Sequence, residues 1–329
     1  MGRPFILSLF ALCVAASAAA QTPAAQAAEQ QTPVFRSGAE LVALSVAVVD
    51  QAEHFVRGLD AGDFAVYEDG VRQNVSFFAA SDVPLDLILL LDTSASMTDK
   101  IGTVHEAALG FLRTMRPGDR GAVVAFNDGV QIVQALTSDS AKLQEAVRST
   151  KPRGATALNN AIYVALKEFG RSARQAGEVR RQAIAVLSDG EDTCSLVTFD
   201  DVMAEAKKSG VGIYTISLRT KEPGQQRGVF STALYSMRTL AQETGARSFF
   251  PVGVGELSAV YAKIAEDLDH QYALGYAPKN ARSDGRFRRV VVQVLQRPEL
   301  RLRTRSGYFA ERASASAASV QLPTSSPRP

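Results

Sequence analysis

The sequence predicts an α/β fold, a doubly wound and mostly parallel sheet, together with a β-sandwich-like domain formed by the flanking segments. Two observations predict it. Between residues 84 and 269, apolar runs of strand length alternate with amphipathic stretches of helical period, as in parallel sheets wrapped by helices. The β-rich flanks, 34–83 and 270–310, alternate as strands do and lack that helical period. Each flank is short, and an isolated hairpin is marginal in water, so we expect the two flanks to pair with each other.

The α/β part begins with the strand at residues 87–91, whose continuous aliphatic run suits a strand buried on both faces. The amphipathic stretch near 100–115 predicts the helix that follows. Asn127-Asp128-Gly129 is a hairpin turn signal and predicts one antiparallel pair in the sheet. The other strands are expected at 121–126, 130–135, 183–187, 211–218 and 247–250, and the other helices at 141–149, 158–169, 199–209, 234–243 and 257–268.

The flanks supply the strands of the second domain. Before the α/β part, residues 39–49 and 64–78 read as strands, and Glu68-Asp69-Gly70 predicts a hairpin turn within the latter. After it, strands are expected at 271–276, 287–295 and 300–309.

The two ends of the chain have different compositions. Residues 1–20 resemble a secretory signal peptide, with Arg3, an apolar core and Ala18-Ala19-Ala20 before Gln21, so we expect a secreted or periplasmic protein. The alternative is a membrane anchor, but a spanning helix needs about 20 apolar residues, and we expect no stable membrane span after cleavage. Small and polar residues predict a flexible linker at 21–33 and a disordered tail at 311–329.

The cysteine count and the net charge argue against a disulfide-stabilised fold and against a nucleic-acid-binding protein. After cleavage Cys194 is the only cysteine, so no internal disulfide is expected. It could bridge two chains, but a partly buried small residue is the favoured interpretation. The net charge of +2, with acidic and basic residues interspersed, predicts no nucleic-acid partner. The one basic cluster, at 282–289 and 301–305, is interpreted as solvated strand faces.

Oxygen-bearing side chains follow the strands at 87–91 and 183–187. Asp92, Ser94 and Ser96 leave the first of these strands, and Asp189 follows the second. Thr156 precedes a predicted helix. Ligands of doubly wound sheets bind at the carboxyl ends of the strands. Because Mg²⁺ prefers compact oxygen ligands, these residues predict a hard-cation site.

The three loops resemble the metal-ion-dependent adhesion site of the von Willebrand factor type A domain family. In that family the first loop reads Asp-x-Ser-x-Ser, the second supplies a Thr and the third an Asp, and all five positions are matched here. Ala95 and Ala155 stand where family members often carry Gly. The resemblance covers roughly 84–269 and implies the family's Rossmann-like fold. The order of flanks and loops is similar to that of secreted bacterial proteins related to this family.

The resemblance implies an exported, metal-dependent protein-binding module for adhesion or assembly. Its Mg²⁺, or Mn²⁺ or Ca²⁺, would keep one position for an exposed Asp or Glu of a protein ligand. Two alternatives remain open, a purely structural metal and a metal-assisted hydrolase. No enzyme is predicted, because none of the three histidines lies beside a plausible nucleophile.

Overall fold

The computed structural model describes residues 41–80, 83–176, 180–189, 191–218 and 232–310. The predicted signal peptide, linker and tail lie outside these residues. Among the described residues, no helix combines the length and the hydropathy that crossing a bilayer requires.

The elements follow one another in the order strands, alternating strands and helices, strands. The strands are β1 (Val42–Val49), β2 (Phe64–Glu68), β3 (Val71–Gln73), β4 (Val75–Ala80), β5 (Leu85–Asp92), β6 (Arg120–Phe126), β7 (Val130–Thr137), β8 (Arg181–Ser188), β9 (Gly212–Ser217), β10 (Ser248–Phe249), β11 (Gln271–Tyr276), β12 (Phe287–Val294), β13 (Arg301–Arg303) and β14 (Gly307–Phe309). The helices are α1 (Ile101–Leu112), α2 (Ser140–Ser149), α3 (Leu158–Ala176), α4 (Phe199–Ser209), α5 (Thr232–Glu243) and α6 (Leu257–Asp269).

The central sheet has six strands in the order β10-β9-β8-β5-β6-β7, and only the β6–β7 pair is antiparallel. Successive side chains of a strand point to opposite faces. Leu87, Leu89 and Leu91 of β5 accordingly pack with α1, α2 and α6, whereas Ile88 and Leu90 pack with α3, α4 and α5. Because helices cover both faces, all eight residues of β5 are buried. The predicted doubly wound, mostly parallel fold is confirmed.

Strands from the two flanks form two four-stranded sheets, β13-β1-β11-β4 and β14-β12-β2-β3. The pairs β1–β11 and β2–β12 are antiparallel, and each joins a strand before the α/β part to a strand after it. Residues of β12 alternate strictly between exposed and buried positions. The buried valines Val290, Val292 and Val294 pack with apolar residues of the other sheet in a shared core. This confirms the predicted β-sandwich-like part of the fold.

The predicted single strand at 300–309 is wrong. The structure divides this stretch into β13, which pairs with β1 in one sheet, and β14, which pairs with β12 in the other. Gly307 permits the second pairing, because a Cβ atom at this position would lie 2.2 Å from the main-chain oxygen of Arg288. The residues between the strands thus carry the chain from one layer of the sandwich to the other.

Polar contacts join the sandwich to the α/β domain. Arg303 Nη2 donates to Oδ1 of Asp267 at 2.9 Å, and Asp267 is 0% exposed. Gln271 Nε2 donates to the Tyr214 hydroxyl at 2.9 Å. The interpretation of the basic cluster as solvated strand faces is therefore wrong for Arg303, and also for Arg288, which is 2% exposed. The cause lies in tertiary packing, since both side chains meet carboxylates from distant parts of the chain.

Candidate metal centre

The candidate site lies at the carboxyl edge of the central sheet. Strands β5 and β8 are parallel neighbours in register, with Leu91 opposite Leu187. Asp92 ends β5 and Asp189 directly follows β8, so the loops after these two strands leave the sheet side by side. The loop before α3 is tied to the loop after β5, because Ala95 N donates to Gly154 O at 3.0 Å.

Gly154 is required by the backbone of this second loop. Its φ is +69°, a left-handed backbone conformation that residues other than glycine rarely adopt. A Cβ atom at this position would also lie 2.9 Å from Cγ of Asp128. The second loop is further tied to the first by Arg153 N, which donates to Thr93 O at 2.7 Å.

The carboxylate of Asp92 is fixed by two donors and is 0% exposed. Ser94 N donates to Oδ1 at 2.8 Å, and the Ser188 hydroxyl donates to Oδ2 at 2.6 Å. Burial raises the pKa of Asp92 above its usual range, and the nearby charge of Asp189 raises it further, while the hydrogen bonds from Ser188 and Ser94 oppose the shift. The carboxylate charge at this position is thus unfavourable without a nearby cation.

A chain of hydroxyls links the first loop to the third. The hydroxyl oxygens of Ser94 and Ser96 lie 3.0 Å apart, within hydrogen-bond distance. Ser96 Oγ donates to Asp189 Oδ1 at 2.7 Å. With the bond from Ser94 N to Asp92, four of the five predicted ligands belong to one continuous network.

Thr156, the fifth predicted ligand, is buried on the adjoining loop and is held by its main chain. Its N–H donates to the Thr193 hydroxyl at 3.1 Å, and its carbonyl oxygen accepts from Thr193 N at 2.9 Å. No hydrogen bond joins its hydroxyl to the other four residues in the described part of the chain. Thr156 therefore lies on the loop that adjoins the other two and is not part of the network in the described residues.

The third loop is organised by Asp192. Its Oδ2 accepts from Asn159 N and its Oδ1 accepts from Ser195 N, both at 3.0 Å. Asp192 thus orients the loop against the start of α3. The interpretation of Cys194 as partly buried is wrong, because this residue is exposed. It lies in the stretch 191–198 before α4, which has no regular secondary structure and whose residues are all at least partly exposed.

Two residues at the site were missed by sequence reasoning. Ser188 binds Asp92, and Lys100 Nζ donates to Oδ2 of Asp189. Ser188 is the last residue of β8, and the sequence pattern indicated only the carboxylate of Asp189 that follows it. Lys100 gave no signal in the sequence, because the predicted helix near 100–115 includes it and only the structure places it before α1.

The donor set decides which cations the site fits. The network offers two carboxylates and the hydroxyls of Ser94 and Ser96, which are ligand types of hard cations. Within the described residues, no group of three or more His, Cys, Asp or Glu side chains is placed to hold a metal. Oxygen ligands of these types suit Mg²⁺, Mn²⁺ or Ca²⁺, whereas Zn²⁺ commonly takes His and Cys ligands.

Part of the α/β domain matches a known family. Residues 87–204 match the family model of the von Willebrand factor type A domain. An uncharacterized protein from Synechocystis is 33% identical over 113 residues, 33% of this chain and 26% of that protein. A UPF0353 protein from Mycobacterium leprae is 27% identical over 211 residues, 58% of this chain and 62% of that protein. The chain thus spans less than two thirds of the length of either relative.

Among solved structures, the von Willebrand factor type A protein from Catenulispora acidiphila aligns with 85% of this chain and 76% of its own, at 12% identity and a TM-score of 0.48. Residues 87–204 of the chain belong to the von Willebrand factor type A domain family.

Proposed function

We propose that the chain is an exported protein-binding module that captures a carboxylate of its partner through a divalent cation. Domains of this family typically mediate protein–protein interactions. One observation supports the metal-dependent form of that role here. Asp92, Ser94, Ser96 and Asp189 share one hydrogen-bonded network at the carboxyl edge of the sheet, where this fold class binds its ligands.

The five residues Asp92, Ser94, Ser96, Thr156 and Asp189 would hold the cation, which is Mg²⁺ or its relatives Mn²⁺ and Ca²⁺. The buried, mutually repelling carboxylates of Asp92 and Asp189 fit a positive ion. The bound cation would supply a positive centre that accepts an oxygen ligand from outside.

The partner's group is proposed from charge. Only two of the five side chains are carboxylates. If one of them binds the ion through a water molecule, the direct ligands are mostly neutral hydroxyls, and the ion keeps part of its positive charge. An Asp or Glu side chain arriving from a partner gains a charge-assisted contact with that ion, whereas a neutral group gains less. The partner is therefore a protein with an exposed acidic side chain.

The cellular location is proposed from the sequence. Residues 1–20 have the composition of a signal peptide, which supports a secreted or periplasmic module. Partners should accordingly be sought in the cell envelope. Mass spectrometry of the exported protein should find an N-terminus at Gln21, and a chain that retains Met1 in membranes would contradict the proposed export.

Capture of a partner from the native envelope fraction tests the proposal. The immobilised chain should retain the partner in Mg²⁺ and release it in EDTA. Thr156→Ala removes one proposed ligand and leaves both carboxylates, so capture should fall by at least about tenfold while the domain remains folded. Thr103→Ala, an exposed threonine on α1, is the matched control and should capture as the unmodified chain does.

The partner's own residues complete the test. Once the partner is identified, replacing its contacting Asp or Glu by Asn or Gln should abolish capture. Capture that persists equally in EDTA, or in folded Thr156→Ala, would place the interaction away from this site and favour a structural metal. Turnover of generic ester or phosphate substrates would instead support a metal-assisted hydrolase.

A further inference from the structure

Lys100 occupies a position that local helix physics disfavours. It is the residue immediately before α1, where Ser, Thr, Asp and Asn are preferred because their side chains accept the free N–H groups of the first turn. Lys100 makes no such capping bond, and the first turn of α1 contains no acidic residue. A helix N-terminus also carries partial positive charge, which repels an ammonium. Residues that break a local rule in this way are often explained by a functional site nearby.

The compensating contact is made with the candidate metal centre. Lys100 Nζ donates to Oδ2 of Asp189, while Oδ1 of the same carboxylate accepts from Ser96. Both oxygens of Asp189 are therefore engaged, one of them by a positive charge. The side chain of Asp189 is 1% exposed and that of Lys100 is 26% exposed. The ammonium thus neutralises one of the two carboxylates that face each other at the site.

We propose that Lys100 is a tethered competitor of the divalent cation and so sets the affinity of the site. This inference rests on the proposed function, since it concerns the same cation. Two positive charges cannot share Asp189 Oδ2 without strong repulsion, because Coulomb energy at contact distance is large away from bulk water. Lys100 is partly exposed and has a flexible four-carbon stem, so its ammonium can move into solvent when the cation arrives.

The competition has a signature that an ordinary structural ion pair lacks. Without divalent cation, Lys100 stabilises the fold by offsetting the repulsion between Asp92 and Asp189. With the cation bound, the same ammonium opposes loading. Removing Lys100 should therefore lower stability in EDTA and raise cation affinity, two effects of opposite direction.

Calorimetric titration of the full chain with MnCl₂ and with MgCl₂ tests this, after dialysis against EDTA and then against buffer. Lys100→Met should bind Mn²⁺ with a dissociation constant at least about tenfold lower than the unmodified chain. Lys100→Arg retains the positive charge and should bind as the unmodified chain does. Lys142→Met, which removes the exposed pair with Asp139 at 3.9 Å, is the matched control and should change nothing.

Melting curves provide the second readout. Lys100→Met should melt at a lower temperature than the unmodified chain in EDTA. Saturating Mn²⁺ should raise the melting temperature of this variant by more than it raises that of the unmodified chain. If Lys100→Met does not fold, Lys100→Gln takes its place with the same expectations. Equal dissociation constants for the variant and the unmodified chain would overturn the role of Lys100 and leave the metal centre intact. Absence of Mn²⁺ and Mg²⁺ binding in every variant would overturn the metal centre itself.

Discussion

Replacing Asp92 by Asn should stabilise the protein in EDTA and abolish its response to Mg²⁺. Asn has the same shape as Asp, so its oxygen can still accept from Ser94 N, and its NH₂ group can donate to the Ser188 hydroxyl, which then acts as acceptor. The substitution removes only the charge. Burial and the nearby Asp189 raise the pKa of Asp92, which means that the folded protein disfavours this charge when no cation balances it.

The expected magnitude follows from mass action. A cation present at a hundred times its dissociation constant stabilises the folded state by about 2.7 kcal/mol. For a domain of this size class, that corresponds to a rise of roughly 5 to 10 °C in the melting temperature. Asp92→Asn should show no such rise, because it lacks one of the two charges that attract the ion.

Differential scanning calorimetry in EDTA and in saturating Mg²⁺ measures both effects. The unmodified chain should melt higher in Mg²⁺, whereas Asp92→Asn should melt at one temperature in both buffers, above that of the unmodified chain in EDTA. A Mg²⁺-dependent rise of equal size in the variant would mean that the cation binds elsewhere. A variant that melts lower in EDTA would refute the argument that the buried carboxylate is destabilising.

Two further predictions concern contacts outside the metal centre. Arg303→Met leaves the buried Asp267 without its 2.9 Å partner and should lower the free energy of unfolding by about 3–5 kcal/mol in urea titrations. Adding Asp267→Asn should recover much of this loss, because it removes the unpaired charge. A double variant that recovers nothing would contradict the charge explanation. Burial lowers the pKa of His105 from 6.5, so the unfolded chain binds more protons below that pH and stability falls as the pH drops. His105→Gln should therefore lose less melting temperature between about pH 7.5 and 5.5 than the unmodified chain, and an equal loss would assign the acid sensitivity to other groups.

The sequence by itself determined the α/β class and most of the elements. The aliphatic run of β5 predicts a strand buried on both faces, and helices do cover both faces. The turn signals at Glu68-Asp69-Gly70 and Asn127-Asp128-Gly129 lie where the β2–β3 and β6–β7 hairpins turn. These features depend on residues close together in the chain, and periodicity and turn chemistry are local properties.

The sequence also located the three loops of the candidate site, because parallel strands present their carboxyl ends at one edge of a sheet. It predicted Asp92, Ser94, Ser96, Thr156 and Asp189 as a metal-binding set, and their role as ligands stays a prediction. The structure adds how they are arranged, with four in one hydrogen-bonded network and Thr156 on the adjoining loop.

Only the tertiary structure decided which distant groups meet. Lys100 and Asp189 are 89 residues apart, and their contact depends on the place of β5 beside β8. The sequence predicts Arg303 as a solvated strand residue, whereas in the folded protein it pairs with the buried Asp267. The division of 300–309 into two strands depends on which sheet each half can join. Such pairings are set by register and packing between elements far apart in the chain, which no local pattern of residues encodes.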